Sequence, residues 1–237
     1  MRQKKAAKIE RIVQPVLGRN TPPDILEIGV GSGLIASHFV SAAKTVWGVD
    51  VVDERVVCDF AFAIARAEML PFRDAAFDLV ISNLVIEHVS DPQAHLREIK
   101  RVLKPDGLTY LAAPNRFALL EPHYHLPLLS WLPTRVSDRY VRLSGRGDGY
   151  DINPLTPGDL RRMALGAGLD VKDVTREAAR LTAQIEGGVI AKLAATIPAA
   201  LWRVVVHMSP TMVYILGRRD ALPESLPCEP AVTEETR

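Results

Sequence analysis

The chain has 237 residues, enough for one large domain and too few for a second of ordinary size. A formal net charge of +1 supplies no global field for nucleic acid, and two cysteines, Cys58 and Cys228, argue against a disulfide framework or a cysteine metal centre. Hydrophobic residues make up 48%, so a sizeable core is available, but the most apolar region, 189–216, is broken by Lys192, Pro198, Arg203, His207 and Pro210 and cannot supply a bilayer span. No charged–apolar–small leader follows Met1, so the expectation is a soluble protein of a reducing compartment, in the cytoplasm or at the inner face of the membrane.

Residues 4–17 place Ile9, Ile12, Val13, Val16 and Leu17 at helical spacing with a basic opposite face, read as a packed helix rather than a lid over a ligand. Gly18 and Asn20 end it, and Pro22–Pro23 restore extended backbone. Ile25, Leu26 and Ile28 form a short apolar run of buried parallel type. Gly29, Gly31 and Gly33 follow at once, ahead of a helix expected from Leu34 to about Ala43. Such a strand, glycine turn and helix hold a nucleotide, because glycine allows sharp turns and close ligand approach. A dinucleotide fingerprint would need glycine at position 34, which is Leu34, so a nicotinamide-dependent oxidoreductase is disfavoured. Thr45–Asp50 reads as a second strand ending in an acid 21 residues after Gly29. That is the distance expected of a carboxylate that accepts two hydrogen bonds from ribose hydroxyls.

Phe60–Ala65 is a candidate third strand and Phe77–Ser82 a buried fourth. Asp91–Pro92 opens a helix over 93–103 with Leu96, Ile99, Val102 and Leu103 on its apolar stripe. A turn at Lys104–Gly107 then feeds a fifth strand, Leu108–Ala113. Residues 114–150 interrupt the strand–helix alternation with prolines, aromatics and four arginines from Arg135 to Arg146. An insertion after the fifth strand hangs over the ligand end of an open α/β sheet, so an acceptor-binding role is weighed above a merely packed helical insert. Thr156–Pro157 caps another helix, Leu169–Val174 is a sixth strand and Pro210–Gly217 a closing strand. A broad apolar helical face is expected over 185–208, usually core or partner surface, with peripheral membrane contact as the sharper reading. A disordered tail is expected from 221.

The tight glycine run with Glu27 two residues before it resembles motif I of class I S-adenosylmethionine (SAM)-dependent methyltransferases. Ala67, Glu68, Leu70, Pro71 and Phe72 are similar to the segment that lies along the adenine in the small-molecule members; Arg66 stands where those members commonly carry an acid. The run from Leu70 to Gly107, with Glu87–His88–Val89 and Arg101–Val102–Leu103–Lys104–Pro105, resembles the ubiquinone-biosynthesis-like methyltransferases. The resemblance covers about residues 24–114. It implies a Rossmann-like α/β fold: a seven-stranded, mostly parallel sheet with helices on both faces and the insertion after the fifth strand. It implies SAM as cofactor, bound by Glu27, Gly29, Gly31, Gly33, Asp50, Ala67, Glu68 and Asn83. The acceptor is expected to be a small molecule or a lipid- or sugar-linked group methylated at oxygen, with no nucleic-acid partner. His88 is the first candidate base, with His123 and His125 of the insertion as rivals, or else it is a hydrogen-bond partner of the next helix. His123, Tyr124, His125 and Trp131 are the acceptor-side candidates. No metal centre is expected, because no His/Cys/acid cluster has ligand spacing along the chain. A methyltransferase-fold protein that only binds is the competing reading.

Overall fold

The computed structural model describes residues 2–186, 208–218 and 222. In chain order the elements are α1 (Arg2–Ile12), α2 (Gln14–Leu17), β1 (Asp24–Ile28), α3 (Leu34–Phe39), β2 (Thr45–Asp50), β3 (Ala61–Ile64), β4 (Phe77–Asn83), α4 (Pro92–Val102) and β5 (Leu103–Pro114). A 3-10 turn at Leu129–Trp131, α5 (Thr134–Leu143), α6 (Pro157–Gly166), β6 (Leu169–Asp173), α7 (Thr175–Glu186) and β7 (Thr211–Arg218) complete them. The seven strands form one sheet in the order β3-β2-β1-β4-β5-β7-β6. The pairs from β3 to β5 are parallel, and β7 runs antiparallel between β5 and β6. The expected sheet is therefore present, and β1 lies between β2 and β4, where successive connections leave in opposite directions.

Alternation along each strand builds a core on both faces. Ile25, Leu79, Ile81, Tyr110, Val213 and Ile215 pack with Ile9, Ile12 and Phe39 on one side, the side of α1, α3 and α7. Leu26, Val80, Leu111, Tyr214 and Leu216 pack with Leu96, Ile99, Leu160 and Ala164 of α4 and α6 on the other. The caps read from sequence are formed: Asp91 accepts from the Ala94 N–H at 2.9 Å and Thr156 from the Asp159 N–H at 3.0 Å.

Several boundaries differ from expectation. The N-terminal helix breaks at Val13, because Pro15 in the first turn of α2 offers no N–H for a continuous ladder. The helix after the glycine run stops at Phe39 rather than Ala43. Leu103 leaves the helix and begins β5, so Lys104–Gly107 is a bulge inside that strand: Phe77 pairs with Leu103 but Leu79 with Leu108. The bulge aims Lys104 Nζ at Asp24 (2.9 Å) and Asp78 (2.7 Å), fastening β1 and β4 at their N-terminal ends. The stripe expected over 185–208 and the tail expected from 221 lie outside the described residues, apart from the end of α7, Met208 and Leu222. Leu222 packs against the core beside Gly217.

Candidate active site

The strands β1, β2 and β4 end together, and the loops after them make two neighbouring regions. The first is the glycine run. Gly29, Gly31 and Gly33 all have left-handed backbone, φ 75°, 51° and 82°, which side chains rarely adopt. Asp50 closes the run from the end of β2: its Oδ2 accepts from the Gly31 N–H at 2.9 Å and its Oδ1 from the Val51 N–H at 2.8 Å. A carboxylate has about four acceptor sites, so capacity remains for a ribose diol. Val51 and Val52 lie half-exposed beside Asp50, and Met69 is exposed in the neighbouring loop. An adenine would cover such an apolar rim. Glu27 is buried at the end of β1. The six-residue α3 is too short to supply the strong N-terminal dipole expected of a longer helix, so the backbone of the run is the cradle.

The segment expected to lie along the adenine is fastened by side chains of α4. His95, fully buried in α4, joins the Ala67 carbonyl (Nδ1, 3.2 Å) to Ser82 Oγ (Nε2, 3.1 Å). Burial pushes its pKa down to about 4, with the Ala67 carbonyl and the Glu68 charge opposing. Arg101 donates to the carbonyls of Leu70 (3.0 Å) and Phe72 (2.6 Å), and Glu98 accepts from the Leu70 N–H. Glu68 accepts from the Ser90 N–H at 2.9 Å and from Arg66 at 3.4 Å. Burial would raise its pKa, but these hydrogen bonds hold it below the usual value.

The second region follows β4. Asn83 ends the strand, and Leu84 takes left-handed backbone, φ 61°, an uncommon conformation that turns the chain sharply. This swings Val85 over the glycine run: a Cβ on Gly29 would meet Val85 Cγ2 at 2.4 Å. The same turn presents Glu87 and His88 to the insertion. Glu121 is fully buried and accepts from the N–H of His123 and from its Nδ1 at 3.0 Å, fixing that ring. His123 Nε2 then faces Glu87 Oε1 at 3.5 Å, and its ring stands edge-to-face on His88 with centroids 5.5 Å apart. Glu87 is fully buried, and among the described residues neither carboxylate oxygen has a hydrogen-bond partner. Burial raises its pKa to about 7. The Glu121 hydrogen bond raises the pKa of His123; desolvation, then His123, lowers that of His88.

Of the acceptor-side candidates, only His123 meets His88. Tyr124 donates from its hydroxyl to Gly149 O and to Asp151, whose charge also acts on His88 and His123. His125 is exposed with its carbonyl bound by Arg146, and Trp131 stacks on Phe117 at the outer surface. Along the chain no His/Cys/acid cluster has ligand spacing, and the expected absence of a metal centre is corrected by the fold. The fold brings ligand atoms of Glu87, His88 and His123 within 4.8 Å of one another, a donor set able to hold a cation.

Residues 26–111 match the family described as Methyltransferase domain. The chain carries a class I SAM-dependent methyltransferase domain. Its cofactor is SAM, and the glycine run, Asp50 and apolar rim just described fit that group. The ubiquinone biosynthesis O-methyltransferase of Dinoroseobacter shibae is 30% identical over 165 residues, covering 63% of this chain and 60% of that protein's length. A SAM-dependent methyltransferase structure from Mesorhizobium loti superposes with TM-score 0.62 at 14% identity, covering 91% of this chain and all of that one (100%). The [4+2]-cyclase SpnF shares the methyltransferase-domain fold at TM-score 0.55 and 18% identity, with 92% and 80% of the two chains covered.

Proposed function

We propose that the protein transfers the methyl group of SAM to an oxygen of a small-molecule or lipid- or sugar-linked acceptor. The observation that carries the choice of oxygen is the Glu121–His123 pair set beside His88, on the turn that also covers the glycine run. An acceptor hydroxyl must lose a proton to become a good nucleophile, and a histidine held by a buried carboxylate is built to take one.

When bound, SAM supplies a methyl group already activated on a sulfonium. The glycine run and Asp50 hold the cofactor, and the Asn83–His88 turn fixes how closely an acceptor approaches it. His123 Nε2 takes the acceptor proton, with Glu121 stabilising the resulting imidazolium. His88 stays neutral and orients the acceptor oxygen. The new bond is oxygen to carbon, the broken one carbon to sulfur, and the electron pair leaves with sulfur. Of the candidate bases this reading takes the rival, His123, over His88. A metal-assisted form of the same deprotonation is the second reading, favoured by the proximity of Glu87, His88 and His123.

The test has two parts. S-adenosylhomocysteine should release heat in calorimetry and NAD should not; no heat with the former removes the reading, and binding without turnover on any acceptor favours a binding-only protein. Labelled SAM with a panel of phenolic, sugar and lipid-linked hydroxyl acceptors then reports transfer. Dialysis against a chelator should leave transfer intact; loss restored by a divalent cation would replace the His123 base by the metal.

A further inference from the structure

The insertion has an outer surface that the proposed chemistry does not use. Phe117, Leu119, Leu128 and Trp131 are each between 43% and 51% exposed. They are neighbours: Leu128 N–H donates to the Leu119 carbonyl at 2.8 Å, Trp131 Nε1 to the Ala118 carbonyl at 3.0 Å, and the Phe117 and Trp131 rings meet edge-to-face. The surface continues into α5, which Ser137 Oγ ties to the Leu129 carbonyl at 3.1 Å. On that helix Ser137 and Val141 face inward. Val136 and Leu143, 49% and 77% exposed, form one outward stripe with Tyr140 between them. Arg135, Arg139 and Arg142 form a second stripe beside it, all exposed.

Charge selects the occupant. Residues 114–150 carry five arginines against three acids, one of them the buried Glu121, and three of the arginines, Arg135, Arg139 and Arg142, stand beside the apolar stripe. Apolar side chains flanked by arginines, with a tryptophan at the edge, match an anionic lipid surface: the apolar groups enter the headgroup boundary while guanidinium groups meet phosphates. A protein interface would depend on a specific complementary surface rather than on lipid charge. We infer that the outer face of residues 116–143 docks the enzyme on an anionic bilayer. Glu121 and His123 belong to the same insertion, so docking would hold the proposed acceptor site close to the bilayer, and the acceptor would be a hydroxyl compound with an apolar tail drawn from the membrane. That clause about the acceptor rests on the methyltransferase reading; the docking itself does not.

The test is co-flotation of the full chain with phosphatidylcholine vesicles, with and without phosphatidylglycerol. The chain should float with the anionic vesicles and not with the neutral ones, and salt should release it. Arg135→Gln with Arg139→Gln should weaken binding about 30-fold, each arginine near an anionic surface contributing about fivefold. Leu143→Ser should weaken it about tenfold or more through lost apolar burial. Affinity for S-adenosylhomocysteine, measured on the same samples, should not change. No flotation of the wild type, equal flotation with neutral vesicles, or variants that bind as the wild type does would each overturn the inference. So would a dimer, seen by sedimentation and dissolved by Leu143→Ser, in a chain that ignores vesicles. A chain that floats but fails to bind S-adenosylhomocysteine would sink the methyltransferase reading and leave the docking surface standing.

Discussion

Replacing His95 tests the cofactor side of the site from inside the core. The Ala67 carbonyl can only accept, so His95 Nδ1 carries a proton; burial keeps the ring neutral, and Nε2 then accepts from Ser82 Oγ. Burial moves its pKa from 6.5 to about 4. The folded value lies below the unfolded one, so the unfolded chain binds a proton that the folded chain refuses. The contribution is complete above about pH 6.5 and is lost as the pH falls toward 4. At about 1.4 kcal/mol per pH unit the full loss is about 3.5 kcal/mol, of which about 2.5 is gone by roughly pH 4.5. Glu68 is the charged group acting on His95, and its carboxylate stays ionised over most of this range. Glutamine at 95 offers an amide to the same partners but does not titrate. Urea unfolding of the wild type and His95→Gln, near neutral pH and near pH 4.5, should therefore show the wild type losing about 2.5 kcal/mol more than the variant. Equal losses would mean that His95 is not a buried neutral strut. His95→Ala adds a second readout: with the Ala67 carbonyl released, S-adenosylhomocysteine should bind more weakly.

Asp50→Ala removes the acceptor of the Gly31 and Val51 N–H groups and the proposed ribose carboxylate, and should weaken S-adenosylhomocysteine binding by about 1–3 kcal/mol in calorimetry; unchanged affinity would take Asp50 out of the site. Gly33→Ala places a Cβ 2.5 Å from the Val57 carbonyl oxygen at φ 82°, and should cost about 1–3 kcal/mol of stability in thermal unfolding. A neutral result there would show that the run relaxes easily. His123→Gln should lower kcat by about 100- to 10,000-fold with cofactor affinity intact, and should flatten the acid limb of the pH–rate profile; a preserved limb would return the base to His88 or to solvent.

The cofactor half of this architecture is legible because it is local. Thr45–Asp50 matches β2 residue for residue, since alternating burial and a terminal acid are written in six consecutive positions. Asp91–Pro92 marks the start of α4 for the same reason. The bulge at Lys104–Gly107 is only half legible. Its composition states a turn, but the pairing of Leu103 with Phe77 that places the turn inside a strand is a long-range fact. α7 is not anticipated, because its contact with the core rests on small and partly buried residues such as Ala178 and Leu181 rather than a strong apolar stripe. The acceptor half is the least legible. Glu87 and His123 stand 36 positions apart, and nothing in either segment announces the other. The one usable signal is four titratable residues crowded into Glu121–His125, in an insertion otherwise rich in prolines and apolar side chains. His95 passes unnoticed beside Leu96 and Ile99, because a histidine next to an apolar stripe reads as surface until the fold closes over it.

The bond from Glu68 to the Ser90 N–H has a kinetic consequence. It joins the loop proposed to lie along the adenine to the turn that carries Glu87 and His88, across 22 positions of sequence. A cofactor that settles the first loop thereby settles the second. Turnover should follow a compulsory order, with SAM entering before the acceptor and S-adenosylhomocysteine leaving last. Product-inhibition patterns would read that order directly: S-adenosylhomocysteine competitive against SAM and noncompetitive against the acceptor. Cutting the strap with Glu68→Ala should loosen the order toward random entry.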